Sequence, residues 1–327
     1  MKTLRSSHIK AAIVLLAAVS VGAAACGSGP ASNNTTSTSA SLSGGGSSTT
    51  TTSPPATINL QTAPPGEGLP KAAESSMLHG QLPSAIKKKD SLTYAMDATY
   101  APDEFLAPNG KTIIGMDADF ALALSQVLGI KANLVAATFD TIIPGLQSGK
   151  YDIGNSSFTD TKAREKQVNF VDYFSAGEAF YEPANSTHAF NGLASLCGHT
   201  VSVESGTTEQ ADALSQAKKC HVTVLAFPDQ NAANVAVTSG RAQLGFADSQ
   251  VSAYIVRESK GQFKLTGSAF ATAPYGIAVP KGPLDMVVLG AMHELVSDGL
   301  YKKIIDKWGL QPGAIPLSEI KINGAAS

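Results

Sequence analysis

From Ser91 to Trp308 the sequence alternates strand-like and helix-like segments, and it runs through that alternation twice. Leu92–Met96 reads as a strand. Asp117–Leu128 sets Phe120, Leu124, Val127 and Leu128 at helical spacing and stops at Gly129, a residue that tolerates the left-handed turn on which helices often end. A strand over Ala132–Ala136, a helix over Phe139–Gln147 stopping at Gly149, and a third strand over Asp152–Gly154 complete the first series. The pattern restarts near Thr200. Val201–Val203, Val222–Phe227 and Gln243–Ala247 read as strands, interleaved with helices over Thr207–Lys219, Gln230–Ser239 and Ser249–Ser259. Tyr275–Val279 is a last strand, followed by helices over Leu284–Asp298 and Tyr301–Lys307. Parallel strands need crossover connections, so this alternation predicts an α/β fold with largely parallel sheets. Two such units in one chain predict a ligand cleft between them, at the carboxyl ends of the strands.

The first 87 residues follow a different logic. Lys2, Arg5 and Lys10 surround the start of an apolar run, Ala11–Val21, that is too short for a comfortable membrane span. Gly22, Ala23, Ala24 and Ala25 follow, so residues 1–25 read as a secretion signal. Cys26 stands where cleavage is expected. It resembles the cysteine of a bacterial lipobox, whose thiol carries diacylglycerol; the plainer reading is an ordinary signal with a chance cysteine. Residues 26–87 are read as this cysteine plus a disordered tether and lead-in. The Ser/Thr/Gly-rich run to about Pro55 has too few large apolar residues to bury a core. The proline-containing stretch after it is expected to be extended, with a short helix near Lys71–Leu78. The expected location is extracytoplasmic, anchored to the cell membrane by a lipid on Cys26.

Charge and residue types exclude several functions. With 24 basic and 26 acidic residues the formal net charge is −2, so a sequence-independent nucleic-acid binder is not expected. The six histidines show no metal-ligand spacing, and no metal or other cofactor is expected. Apart from Cys26, only Cys197 and Cys220 remain. In an exported protein that even remainder suggests a disulfide, with two buried free thiols as the alternative.

An ordered set of segments carries a family resemblance. It begins with Asp97-Ala98-Thr99-Tyr100-Ala101-Pro102 and Gly115-Met116-Asp117-Ala118-Asp119-Phe120. It continues through Phe139–Asp152, Ser156-Ser157-Phe158-Thr159-Asp160-Thr161 with Arg164, and Ser205-Gly206-Thr207-Thr208. Asp248, Tyr275–Val279, Asp298-Gly299-Leu300-Tyr301 and Lys307-Trp308-Gly309 close it. Over about residues 91–312 the chain resembles the amino-acid-binding proteins of ABC importers, the bacterial solute-binding family for polar amino acids. The resemblance implies a two-lobed periplasmic-binding-protein fold of type II. Each lobe would be a mostly parallel sheet flanked by helices, and a two-strand hinge would join them. The first lobe would comprise residues 88–183 and a return segment, 275–327, with the second lobe, 184–274, inserted. The hinge would lie near Glu178–Asn185 and Ser268–Tyr275, and closure would be a motion of two rigid lobes.

The implied partners are a free polar or basic amino acid and the membrane permease subunits of an importer; the protein is expected to be a monomer. A dry cleft must satisfy both charges of the zwitterion. The resemblance gives the ligand carboxylate to Arg164, whose planar fork suits it; the plain reading is a surface arginine in the run Lys162–Lys166. Asp248 would take the ammonium or, more plainly, cap the following helix. Thr207 and Thr208 would assist at the carboxylate or serve only as helix caps. Ser156, Ser157 and Thr159 would contribute contacts from the first lobe. Tyr100 and Phe139 would flank the side-chain slot or be ordinary core, and Asp97 would reach the distal end of the side chain. The chain departs from many relatives at Pro102-Asp103-Glu104-Phe105, where a phenylalanine commonly follows the proline. These two carboxylates would favour a basic ligand or be solvated rim residues. The expectation is a binding protein rather than an enzyme. The alternatives are a sensor module on the same fold and a dehydratase resembling the cyclohexadienyl type, for which Glu104 or Glu209 would be the acid or base.

Overall fold

The structure, a computed structural model, describes residues 59–326. Cys26, the signal-like residues 1–25 and the Ser/Thr/Gly-rich run lie outside the described residues. Among the described residues, no helix is long and apolar enough to cross a membrane.

The lead-in differs from the expectation of a disordered stretch. Two helices, α1 (Ser76–Gln81) and α2 (Ser84–Lys89), occupy it, later than the helix expected at Lys71–Leu78. Ala72, Leu78, Leu82 and Ile86 are buried in the main core. Leu78, Leu82 and Ile86, spaced four apart, carry this packing, although prolines interrupt the pattern that periodicity reads.

The first α/β series then follows. Strand β1 (Ser91–Met96) leads to a small antiparallel sheet of β2 (Thr99–Tyr100), β3 (Glu104–Leu106) and β4 (Ile113–Ile114). Helix α3 (Met116–Val127) starts at Gly115, where φ is +133° and an added Cβ would lie 2.1 Å from the Asp103 carbonyl oxygen. Only glycine fits there. Strand β5 (Lys131–Ala136), helix α4 (Phe139–Gln147), strand β6 (Ile153–Gly154) and the short helix α5 (Lys162–Glu165) complete the series. Helix α4 buries Phe139, Ile142, Ile143 and Leu146, one face at helical spacing.

A 15-residue strand, β7 (Asn169–Pro183), crosses to the second series. That series comprises β8 (Thr200–Glu204), α6 (Thr208–Ala217), β9 (Thr223–Phe227), α7 (Gln230–Thr238), β10 (Leu244–Asp248) and α8 (Ser249–Glu258). A 17-residue strand, β11 (Phe263–Val279), returns, followed by α9 (Leu284–Ser297) and α10 (Leu300–Trp308). Cys197 and Cys220 form a disulfide, worth about 3 kcal/mol in the loop-entropy account.

The eight-stranded sheet runs β5-β1-β6-β11-β7-β10-β8-β9. Pairing is parallel among β5, β1 and β6 and among β10, β8 and β9. It is antiparallel where β7 and β11 join the two groups. Strand faces alternate as a pleat requires. In β1, Leu92, Tyr94 and Met96 enter the large core under α3 and α9, and Ala95 enters the core under α4. In the second half, Val201 and Val203 of β8 pack with Phe180, Leu244 and Phe246.

Asp119 ties three separate segments together. Its Oδ1 accepts from the Gly66 N–H at 2.7 Å, and its Oδ2 accepts from Trp308 Nε1 at 2.7 Å. Lys307 Nζ lies 2.8 Å from the same Oδ2, and the two side chains of this ion pair are only 5% and 1% exposed. Removing one member of a buried pair strands the other charge. Asp119→Ala is therefore expected to lower the free energy of unfolding by about 3–5 kcal/mol, read from urea denaturation; a loss below about 1 kcal/mol, the level of an exposed pair, would show that the carboxylate does not hold the segments.

Candidate functional site

Asp97, Tyr100, Phe139, Ser156, Ser157, Thr159 and Arg164 from the first half meet Thr207, Thr208 and Asp248 from the second around one small cavity. Glu104, Glu204 and Glu209 complete the lining. The reason is topological. Asp97 follows β1, the Ser156–Thr159 loop follows β6, Glu204 ends β8 and Asp248 ends β10, so the carboxyl ends of strands from both halves converge.

Arg164 has a fork without an acid. Its Nη1 donates to the Thr159 carbonyl at 2.7 Å and its Nη2 to the Gly206 carbonyl of the opposite half at 2.9 Å. The guanidinium stands over the Phe139 and Phe158 rings, at 5.4 and 5.5 Å from their centroids. Burial lowers its pKa, while the acids Glu209, Asp248 and Asp160 and the Tyr100 hydroxyl oppose that shift. Gly206 makes the cross-cleft approach possible: its φ is +84°, and a Cβ there would lie 2.8 Å from Asp140 Cβ.

Asp248 sits at the other side of the cavity. Its Oδ2 accepts from the Tyr100 hydroxyl at 2.8 Å, and its N–H donates to that same hydroxyl at 3.0 Å. Its side chain makes no cap bond to α8. Burial pushes its pKa up to about 6, and hydrogen bonds from Tyr275 and Tyr100 hold it back. Thr207 behaves differently. Its hydroxyl caps α6, accepting from the Gln210 N–H at 3.1 Å and donating to the Glu204 carbonyl. Thr208 Oγ1 instead faces Thr159 Oγ1 across the cleft at 3.4 Å.

Asp103 and Glu104 are not solvated rim residues: they are 0% and 1% exposed. Glu104 lines the cavity and Asp103 stands behind it. Ser156 Oγ donates to Glu104 Oε1 at 2.9 Å. Ser157 Oγ lies 2.9 Å from Glu104 Oε2 and 3.1 Å from Asp103 Oδ2. One hydroxyl hydrogen serves only one acceptor, so both contacts are hydrogen bonds only if one of the two carboxyls is protonated. Burial, then the charge of Asp117, raises both carboxyl pKa values well above the usual range. Gln250 of the second half donates to Asp103 Oδ2 at 2.7 Å and to the Tyr275 hydroxyl at 2.8 Å. The rim reading failed because a carboxylate in a loop looks solvated until its hydroxyl and amide partners are known.

The lining is strongly acidic: Asp97, Glu104, Glu204, Glu209 and Asp248 surround the single cation, Arg164. Glu204 was missed from the sequence, and Glu209 was considered only as a catalytic acid or base. The signal for Glu204 was present, since it ends the strand immediately before Ser205-Gly206-Thr207-Thr208. Among the described residues, no group of three or more His, Cys, Asp or Glu side chains is arranged to hold a metal.

Comparison with known proteins follows the same outline. A family model described as bacterial extracellular solute-binding proteins, family 3, matches residues 92–311. The chain is 29% identical over 254 residues to the arginine-binding protein ArgT of Corynebacterium glutamicum, covering 75% of this chain and 82% of that one. It is 30% identical over 232 residues to the ABC transporter glutamine-binding protein GlnH of Bacillus subtilis, covering 69% and 83%. Among solved structures, an ancestral arginine-binding protein bound to arginine matches with a TM-score of 0.64 and 36% identity, over 67% of this chain and 98% of that one.

The buried acids give the fold a distinctive pH response. Burial raises Asp117 and Asp248 to about 6, and Glu178 and Asp172 to about 8. Between about pH 4, where unfolded carboxyls titrate, and these values the folded state holds more protons than the unfolded state. Stability from these groups is therefore greatest at the acidic end and falls as pH rises. The urea midpoint is expected to be higher at about pH 5 than at about pH 8; the opposite order would mean that these carboxyls are ionised in the folded protein.

Proposed function

Because the chain belongs to the bacterial extracellular solute-binding proteins of family 3, we propose that its cavity encloses one free amino acid for delivery to an ABC-type importer. Arg164 takes the ligand carboxylate and Asp248 the ammonium. The observation that carries this reading is the pairing of opposite charges on one cavity: the Arg164 fork rests on two carbonyls, and no carboxylate pairs with it among the described residues. A carbonyl oxygen leaves the positive charge uncancelled, and a ligand carboxylate cancels it. Tyr100 and Phe139 flank the ligand side chain. Ser156, Ser157, Thr159, Thr207 and Thr208 complete the polar contacts, and Asp97 faces the distal end. Five acids against one arginine favour a cationic side chain, and the relatives named for arginine support the same choice. The relatives' names are those of binding proteins, which favours capture over turnover.

The working division is a first lobe of residues 88–183 and 275–327 and a second lobe of residues 184–274. The hinge falls where β11 slips register on β7, between Thr266 and Gly276. Irregular ladders hold fewer fixed hydrogen bonds, so bending is cheapest there. Lipid on Cys26, following export, would keep the folded body beside its membrane partner, in an extracytoplasmic location and as a monomer.

Calorimetry with single amino acids, followed by analysis of the recovered ligand, tests the reading. Wild type is expected to bind at least one basic amino acid and return it unchanged; a new product would favour an enzyme. Arg164→Ala is expected to weaken binding by about 3–5 kcal/mol, roughly 100- to 5,000-fold, because it leaves the ligand carboxylate buried and unpaired. Near-native affinity in that variant would remove Arg164 from the site. Cys26→Ala is expected to move the protein from the membrane fraction to the soluble fraction in cell fractionation; continued sedimentation with membranes would refute the anchor.

A further inference from the structure

The last described residues run back to the loop that carries Arg164. Residues 312–326 lie past the stretch that the family model matches, 92–311, and they are well packed. Ile315, Ile320 and Ala325 are buried, and His293 Nε2 of α9 lies 2.9 Å from the Ile320 carbonyl. Ile322 forms an antiparallel bridge with Val171 of β7, and the Asp172 N–H donates to the Lys321 carbonyl at 2.9 Å. Asn323 grips the next residue of β7 on both sides. Its N–H donates to the Phe170 carbonyl at 2.9 Å, and its Oδ1 accepts from the Phe170 N–H at 2.8 Å. Gly324 then passes over Asp172. An added Cβ there would lie 2.1 Å from Asp172 Oδ2, so only glycine lets the backbone come this close.

The run ends on Asp160. The Ala325 N–H donates to Asp160 Oδ2 at 3.1 Å in a buried bond, and Asp160 Oδ1 has no partner. Asp160 does not line the cavity with Asp97 and Asp248, but its two neighbours in sequence both hold Arg164. The Thr159 carbonyl accepts from Arg164 Nη1 at 2.7 Å, and Thr161 Oγ1 accepts from the Arg164 N–H at 3.2 Å. The Asp160 N–H donates to the Pro274 carbonyl of β11 at 2.8 Å. The loop is thus pinned to the sheet by its backbone and to the C-terminal segment by its side chain. Asn323 reaches the same arginine by a second route. It fixes the Phe170 backbone, and the Phe170 ring packs 6.1 Å from that of Phe158, over which the Arg164 guanidinium stands.

We propose that the C-terminal segment Ile320–Ala326 braces the loop that presents Arg164, and that Asp160 is the positioning residue that joins the two. The proposal deepens the capture reading and, for its effect on affinity, rests on it. Asp160 acts through Arg164 and does not touch the ligand. A fork aimed at a carboxylate gives its full benefit only when it is held in place before the ligand arrives. If the brace is cut, residues 159–161 must be ordered at the moment of binding. Fixing even one residue costs about 1–2 kcal/mol, which is roughly a tenfold loss of affinity. What Asp160 supplies is an acceptor oxygen for the Ala325 N–H. An amide oxygen at the same place can accept that bond as well, so the role belongs to the oxygen and not to the charge.

Hydrogen exchange read by mass spectrometry, together with titration calorimetry using L-arginine and L-glutamine, tests this on the intact protein. Asp160→Ala is expected to speed exchange in peptides covering residues 159–165, leave the second half unchanged, and weaken amino-acid binding by about tenfold. Ala325→Pro removes the N–H donor from the other side and is expected to do the same. Asp160→Asn loses the same charge as Asp160→Ala but keeps an acceptor, so it is expected to return both readings to within about twofold of wild type. Unchanged exchange over residues 159–165 in both Asp160→Ala and Ala325→Pro overturns the brace. Exchange that quickens equally throughout the chain does so too, because it reports lost stability alone. Faster local exchange with native affinity removes Asp160 from the positioning of Arg164, and an Asp160→Asn variant as weak as Asp160→Ala assigns the effect to charge and overturns the role of the oxygen. If wild type gives no heat with either amino acid or with any other, the capture reading falls, and the exchange measurements alone decide whether the segment braces the loop.

Discussion

The rest of the molecule depends on the pairing of β7 with β11. These strands of 15 and 17 residues run antiparallel from Phe263–Pro183 at one end to Val279–Asn169 at the other. One stretch of that ladder serves the first half of the sheet, through β6, and another serves the second half, through β10. Because the strands beyond it are parallel within each half, their carboxyl ends gather toward a common cleft. The cavity follows from this arrangement, as do the register shifts near the middle of β11. The largest apolar clusters of the two halves lie on opposite sides of the ladder.

What the topology gathers is mostly negative charge, and the protein manages it in two ways. Glu104 is satisfied locally, with Ser156 and Ser157 hydroxyls at its two oxygens. Asp117 is satisfied by the Tyr173 hydroxyl at 2.6 Å and the Ser157 N–H at 2.9 Å. Such acids are fixed parts of the fold, and hydrogen bonds from their neighbours limit their desolvation cost. Glu204 and Glu209 differ, since each has an oxygen with no partner. Buried polar atoms are rarely left so. Their incompleteness on the cavity surface, beside an arginine whose fork rests on carbonyls, sets them apart from the acids that are satisfied within the fold.

Much of this was legible in the sequence. The helix over Phe139–Gln147 agrees at both ends with the structure, because apolar spacing and a terminal glycine point to the same boundaries. The residues expected at the site lie around one cavity, because the segments carrying the resemblance are the loops that follow strands. The lead-in was harder. Its prolines break the periodicity, and its burial depends on distant elements: Leu78 lies against Gly290 of α9, where an added Cβ would come within 2.7 Å of it. Tertiary fit of this kind leaves no local signature. Asp103 and Glu104 were ambiguous for a related reason. Whether a carboxylate is rim or wall depends on Ser157 and Gln250, about 54 and 147 residues away, and single-sequence patterns do not carry such distances.

The ordering of the lead-in changes how a tether would act. Residue 66 is pinned to Asp119, and Asp119 is pinned in turn to Trp308 and Lys307 at the end of α10. Ala72 N–H donates to Gln126 of α3, and Ser75 bonds to Val127 and Glu294. All of these partners belong to the first half of the sheet's helices. Just upstream, Gln61 Nε2 donates to Glu258 of α8, in the second half, through an exposed contact. Exposed hydrogen bonds contribute little, whereas the buried Asp119 network is costly to break. A pull from the amino-terminal side would therefore be borne mainly by the first half. Attachment through the lead-in would load one half of the sheet and its helices more than the other.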